Sequence, residues 1–413
     1  MTTTTDLNPF TSEAIENPYP VHAALRERGP VYVEAIDAWV VSRFDDVTAV
    51  LQDPEGFSSR YVGSSAFSGD PELLAIYKEG WSKKGGITAL DPPEHAWFRR
   101  VQAAPFSPRG IRSIADRIEQ IVNELIDDFI DRGSCDLHRE FARPLPLPVF
   151  AEIIGYPLVD VPKIKDWSDE QIELLGGVVG AVPRARLLDL ARSDIKYQRY
   201  MHELFEERRA NPQGDLLSDL VQATLGGDDP RPLTDGELIA TIFILLNGGN
   251  ETTTNLIVNG IELLLRHPDQ HQLLLDDPSL IPNFVEESLR FESAVQCLFR
   301  ATTKEVSVGG VTIPARAKVA VLYGAANRDP ERWDDPETFD VTRPDAKKSV
   351  SFGTGIHVCL GAHLARLEGC IAFEVLLRRL PNLRFAPERN DFRHAPSVIV
   401  RGFNSLWIEW DKP

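Results

Sequence analysis

Residues 352–361 read FGTGIHVCLG. Gly353 and Gly355 permit backbone shapes and close approaches that a Cβ would block. The run leads into a helical pattern, so Cys359 stands at the mouth of a helix. There the unpaired N–H groups and the helix dipole favour the thiolate, the form that ligates metals. A lone cysteine is as a rule buried and inert, and the spacing around this one sets it apart. A second stretch, LLNGGNETTT at 245–254, lies inside an apolar run from about Thr234 to Arg266 that reads as one buried helix. Its centre nevertheless holds Asn247, Gly248, Gly249, Asn250, Glu251 and three threonines beginning at Thr252. Glycine costs about 1 kcal/mol in a helix interior, so two in succession need a reason. Close packing on a neighbour is one such reason. A threonine hydroxyl there can also bond the carbonyl four residues back and open the helical ladder.

The elements that must hold these residues are mostly helices. The central helix starts at a capping box, Thr234-x-x-Glu237, and stops at Pro268. At 1.5 Å per residue it spans roughly 48 Å. Residues 111–133 (IRSIADRIEQIVNELIDDFIDRG) read as one amphipathic helix with a glycine stop, and 17–30 as a short helix ending at Gly29-Pro30. Two short strands surround a turn at Asp37, further strand patterns lie between 300 and 325, and the tail SVIVRGFNSLWIEW alternates like a hairpin. The small β-rich part therefore draws on about 30–60, 300–325 and 390–410. Residues 1–10 read as loose, and 63–90 as a long irregular segment of the kind that forms lids and binding loops. There is no internal repeat, and the expectation is one compact, mainly α domain over 1–413.

A hydrophobic content of 43% is enough for a large core, and a net charge of −18 argues against a nucleic-acid or anionic-membrane binder. No run of about 20 apolar residues suggests a membrane span. The start, MTTTTDLNPF, lacks the basic and apolar regions of a signal peptide. The four cysteines form no C-x-x-C pair, so a structural zinc or disulfide framework is not expected and a reducing cytoplasm is.

The pattern F-G-x-G-x-H-x-C-x-G resembles the haem-binding loop of the cytochrome P450 family, and other marks of that family follow in order. EESLR carries Glu287-x-x-Arg290, and NRDPERWDDPETFDVTRP carries Arg343, which resemble the family's structural ion-pair network. DPPEHAWFRR gives His95 and Arg99, and LFRATT gives Arg300. Gly248-Gly249-Asn250-Glu251-Thr252 resembles the family's distal motif. The resemblance covers about 10–410 and implies the P450 fold, with the long central helix over haem b (iron protoporphyrin IX). It implies Cys359 as the proximal thiolate, which favours O–O cleavage, with Phe352 packed near the sulfur side of the ring. It also implies that His95, Arg99, Arg300 and His357 hold the propionates, the arginines through charge-assisted bonds. Gly248 and Gly249 are expected to leave room for dioxygen. Thr252 is expected to contact the distal oxygen and Glu251 to relay protons, since leaving one oxygen atom as water needs two.

This pair favours a dioxygen-using monooxygenase over a peroxide-driven peroxygenase or a non-catalytic haem sensor or carrier. By position in the family, pocket walls come from 63–90, 172–190, Ile244 and Asn247 on the central helix, Ala294, Val295 and Leu298, and Val398 in the tail. That lining suits a small or medium hydrophobic substrate, a terpenoid or an aromatic. Asn247 could bond a carbonyl or hydroxyl of the substrate, whereas Arg184 and Arg186 read as surface residues. The pattern implies a monomer that receives electrons from a ferredoxin, itself reduced by a flavoprotein ferredoxin reductase. Docking to an acidic ferredoxin needs a local basic patch. Candidates are Arg99, Arg100, Arg109, Arg112, Lys347, Lys348 and Arg366.

Overall fold

The structure is a computed structural model that describes residues 7–60, 70–83, 86–176, 182–226 and 230–412. The sequence predicts one domain; the chain clusters into two compact units. One comprises the chain up to Ser59, Ile111–Pro146 and everything from Glu251 onward, and the other Arg60–Gly110 with Leu147–Asn250. The central helix, Asp235–Arg266, gives its first half to the second unit and the remainder to the first.

The first unit is organised by a five-stranded sheet in the order Val31–Val33, Ala38–Val41, Lys318–Leu322, Cys297–Thr302, Phe57–Ser58. Lys318–Leu322 runs parallel to Ala38–Val41 and antiparallel to Cys297–Thr302, with Val319 opposite Trp39 and Arg300. The strand KVAVL sends Val319 and Val321 to one face and Ala320 and Leu322 to the other, the period of two that a pleated strand imposes. Both faces are covered, by Val41, Val47 and Ile313 on one side and Val33, Val40 and Leu25 on the other. Leu7 is fully buried in the second cluster, so the chain is anchored from Leu7 rather than from about residue 10. Residues 1–6 lie outside the described residues.

The chain turns at Asp37 as expected, and the residue there is in left-handed backbone (φ 47°). Two elements differ from expectation. The 111–133 stretch is broken into Pro108–Arg112 and Ala115–Asp127, because Ser113 and Ile114 do not continue the helix. The tail folds back only near its start, where Phe403 bridges antiparallel to His394 and the Asn404 N–H donates to the Arg393 carbonyl (2.9 Å). Trp407–Glu409 lies between Ser134–Asp136 and Arg384–Phe385, and Val400 instead bridges to Val295. Its alternation is real, but the partner strands come from elsewhere, and sequence periodicity carries no information about pairing.

In the second unit, Val161–Gly176 and Arg184–Ala210 pack with the first half of the central helix. The capping box is formed: the Thr234 N–H donates to Glu237 Oε2 (2.9 Å), and the Glu237 N–H donates to Thr234 Oγ1 (3.3 Å). Past that start the helix is α throughout its 32 residues, with no local opening at Gly248–Thr252. Apolar residues all round it account for its burial.

Candidate active site

The cysteine loop is shaped by backbone that only glycine tolerates. Gly353 and Gly355 have φ of 66° and 70°, and a Cβ on Gly355 would lie 2.4 Å from the Leu51 carbonyl oxygen. The Cys359 N–H closes the loop by donating to the Phe352 carbonyl (2.8 Å). Cys359 precedes the helix Ala362–Arg379, which is capped at Gly361, so the sulfur is presented by the loop and not by the first turn. Cys359 is exposed, whereas Cys135 and Cys297 are buried and Cys370 is half-buried. Burial pushes the Cys370 thiol up to about 11 and those of Cys135 and Cys297 still higher. The Arg366 guanidinium covers the Phe352 ring at 4.4 Å and pairs with Glu286 (2.6 Å).

The loop is moored to the rest of its unit by a buried polar network. Arg290 makes two 2.7 Å bonds to the Glu287 carboxylate and donates to the carbonyls of Asn327, Pro336 and Thr338. Arg343 reaches the same carboxylate (3.2 Å) and the carbonyls of Asp334, Asp335 and Thr338. Asn327 carries the link onward: its Nδ2 donates to Ser293 and Ser351, and its Oδ1 accepts from the Val350 N–H, all at 2.8 Å. Asn327 lies in the segment already assigned to this network, but nothing in its local spacing marks it out.

Of the expected propionate ligands, His357 and Arg300 belong to this unit. His357 Nε2 lies 3.0 Å from the hydroxyl of buried Ser59, a partner that no motif announces. Arg300 is 5% exposed on the strand Cys297–Thr302 and interacts with Tyr323. No carboxylate among the described residues pairs with Arg300. A buried guanidinium needs an anion, and a haem propionate would supply one.

Glu251 and Thr252 are half-buried. Burial pushes the Glu251 carboxyl above the usual carboxylate range, with Arg143 pulling it partly back. Two of the expected wall segments are joined by backbone bonds: the Gln296 N–H donates to the Ile399 carbonyl (2.7 Å), and the Arg401 N–H to the Ala294 carbonyl (2.9 Å). Val295 and Val398 are half-buried there, whereas Leu298 packs on the sheet core.

In the second unit, His95 is buried on the helix Glu94–Gln102, and burial with neighbouring Arg99 holds it below the usual imidazole range. The two glycines of the central helix differ. Around Gly248, apart from its own stretch of helix, no atom of the described residues lies within 4 Å of where a Cβ would stand. A Cβ on Gly249 would fall 2.1 Å from the Phe150 ring. Gly248 thus leaves space, while Gly249 serves close packing. Ile244 is half-buried with Gly86 against it. The Asn247 amide is engaged by protein groups: Oδ1 accepts from Ser168 (3.1 Å), and Nδ2 donates to Gln171 (3.0 Å) and the Phe243 carbonyl (2.9 Å). Arg184 pairs with Asp70 and Glu72, and Arg186 with Glu173, on the surface. Of the expected walls, 63–69, 84–85 and 177–181 lie outside the described residues.

A loop thiol set apart from three buried or half-buried ones, with a buried guanidinium that no described carboxylate matches, fits an iron porphyrin. Comparison with known proteins agrees. Residues 186–277 and 273–391 match the family model for cytochrome P450. The chain is 38% identical over 409 residues to cytochrome P450 107B1 of Saccharopolyspora erythraea, covering 97% of each chain. It is 36% identical over 403 residues to 6-deoxyerythronolide B hydroxylase of the same organism, covering 95% of this chain and 96% of the relative. Among solved structures, CYP109Q5 from Chondromyces apiculatus superposes with a TM-score of 0.85 at 35% identity, covering 98% of each chain. The chain belongs to the cytochrome P450 family. It is a P450 monooxygenase, dependent on haem iron, dioxygen and a redox partner. No helix among the described residues is long and apolar enough to cross a membrane.

Proposed function

We propose that this enzyme hydroxylates a small or medium hydrophobic molecule, of the terpenoid or aromatic class, with haem b held through the Cys359 thiolate. The observation that carries this reading is the exposed Cys359 in a glycine-shaped loop, moored through Asn327 to the Glu287 network. Haem iron, when bound, supplies the reduction of dioxygen and delivery of one oxygen atom. His357 and Arg300, with His95 and Arg99, hold the two propionates, Ser59 orients the His357 ring, and Phe352 shields the sulfur. Glu251, its acidity weakened by burial, holds a proton at its carboxyl oxygen and passes it on through the Thr252 hydroxyl; Arg143 keeps it able to release that proton. Val295 and Val398 contribute apolar walls to the substrate pocket. Relatives named for hydroxylating 6-deoxyerythronolide B and vitamin D(3) support hydroxylation as the outcome.

Electrons come from a ferredoxin served by a flavoprotein reductase. Arg100, Arg109, Arg112 and Lys347 are exposed and available to steer it, whereas Lys348 is exposed but paired with Asp345 (3.0 Å) and Arg366 is committed to Glu286 and Phe352. A cytoplasmic setting fits a chain in which no disulfide joins any described cysteine.

The reduced, carbon-monoxide-treated protein is expected to show the red-shifted Soret band of thiolate ligation, and Cys359→Ser to lose it. Thr252→Ala and Glu251→Gln should keep the band while diverting electrons to hydrogen peroxide. A Cys359→Ser protein with an unchanged band would overturn the reading.

A further inference from the structure

The irregular segment after Lys78 is fastened to two helices of its own unit. The Trp81 ring stacks on His202 with centroids 4.7 Å apart, and the Trp81 N–H donates to Gln198 Oε1 (2.8 Å). Glycines allow the backbone in: a Cβ on Gly236 would fall 2.1 Å from the Ser82 carbonyl oxygen, and one on Gly86 would fall 2.6 Å from Ile244. Lys83 Nζ lies 2.6 Å from Asp194 Oδ1 and 4.6 Å from the centre of the Phe243 ring. The Asp194 side chain is only 2% exposed, so this ammonium is its charge partner in a dry site.

The polar contacts continue inward. Gln198 Nε2 donates to Asp194 Oδ2 (2.9 Å), and Gln171 Nε2 reaches Asp194 Oδ1 (3.4 Å). Gln171 Oε1 accepts from Asn247 Nδ2 (3.0 Å), and Asn247 Oδ1 accepts from Ser168, whose oxygen also takes Asn250 Nδ2 (3.4 Å). The chain of bonds runs from Lys83 through both packed helices into the central helix at Asn247 and Asn250, and Glu251 follows directly. Each member is buried or half-buried, and satisfied polar networks of this kind act as units.

We propose that Lys83, Asp194, Gln171 and Asn247 are positioning residues forming one relay. It ties the Trp81–Lys83 segment to the part of the central helix that leads into Glu251 and Thr252, so that the two loosen and tighten together. The proposal rests on the monooxygenase reading for its consequence. With the segment fastened, two electrons and two protons are consumed with dioxygen and substrate to give the alcohol and water. With it released, the same two electrons and two protons, drawn from the redox partner and solvent, convert dioxygen to hydrogen peroxide.

Hydrogen–deuterium exchange of the ferric holoenzyme tests the coupling directly. Lys83→Met should speed exchange of the Trp81–Lys83 amides and of the Asn247–Thr252 amides in concert, on the order of tenfold for each. Lys83→Arg should restore both. In a Gln171→Leu background, which leaves the ion pair in place but cuts the relay, Lys83→Met should loosen the segment alone. Faster exchange confined to the segment in Lys83→Met itself would overturn the proposal, as would equal acceleration of the central helix with and without Gln171. If Lys83→Met fails to fold, Gln171→Leu alone decides: it must loosen Asn247–Thr252, and unchanged exchange there would refute the relay. Loss of the thiolate band in the parent protein would instead strike the monooxygenase reading and leave the exchange result standing.

Discussion

Two buried polar networks, one in each unit, are built on opposite terms. Around Glu287, Arg290 and Arg343, the carboxylate and both guanidinium groups are almost wholly removed from water, and the cations also draw on five different backbone carbonyls. Around Asp194, one carboxylate meets a single ammonium that is 23% exposed, and the rest of the chain is neutral amides and a hydroxyl. The first is closed on itself and holds the cysteine loop in one place. The second ends at a residue water can reach, so one step undoes it. On the proposed reading the cysteine loop holds haem and stays fixed while the Trp81–Lys83 segment is released and refastened, and the charge content of each network suits those proposed tasks.

The sharpest way to break this contrast is Glu287→Gln. It leaves two buried guanidinium groups facing a neutral amide, a change worth roughly 3–5 kcal/mol when one partner of a buried pair is lost. Urea unfolding should show that loss together with poor haem retention. A midpoint within error of the parent would mean that the backbone carbonyls alone satisfy Arg290 and Arg343, and the comparison would fail.

The closed network was legible in part because its core is local. Glu287 and Arg290 share one helical turn, which puts both on one face, but it was the resemblance to the family's pattern that marked them, with Arg343, as a network rather than a solvated pair. The relay was not legible: Lys83 and Asp194 are 111 residues apart, Gln171 and Asn247 76, and no periodicity relates them. For that reason Asn247 read as a candidate substrate contact, although its amide is taken up by Ser168 and Gln171. The same limit explains the glycine pair. Two adjacent glycines in a helix look alike in sequence, but only the fold brings Phe150 against Gly249. The tail's alternation and the broken 111–133 helix belong with these, since pairing partners and breaks come from tertiary packing.

The glycine pair sharpens the comparison at the next level of effect. Gly249→Ala drives a methyl into the Phe150 ring and should cost about 1–3 kcal/mol, the usual penalty for overpacking. Gly248→Ala meets no described atom within 4 Å apart from its own stretch of helix and should gain up to ~1 kcal/mol of helix stability. Its expected cost is functional, through the space it fills. Thermal unfolding of both variants checks the signs, and a matching loss in the two would show that neither glycine was distinguished by its surroundings.

A smaller effect tests what happens when a buried carboxyl has neither kind of network. Glu368 is fully buried on the helix Ala362–Arg379, and neither carboxyl oxygen has a hydrogen-bond partner among the described residues. Burial alone pushes its carboxyl well above the usual carboxylate range. The folded protein therefore keeps this proton where the unfolded chain has released it. Because the folded state binds more protons, stability falls as pH rises, starting near the unfolded value of 4.5 and continuing up to the folded value. The slope contributed is at most about 1.4 kcal/mol per pH unit. Glu368→Gln keeps the shape and removes the proton, so the pH dependence of its urea midpoint between pH 6 and 8 should be flatter than the parent's, in the direction of greater relative stability at the alkaline end. Parallel profiles for the two proteins would mean that Glu368 is ionised in the fold. It would then need an unseen cation or water, and would join the Glu287 and Asp194 carboxylates as a third partnered charge.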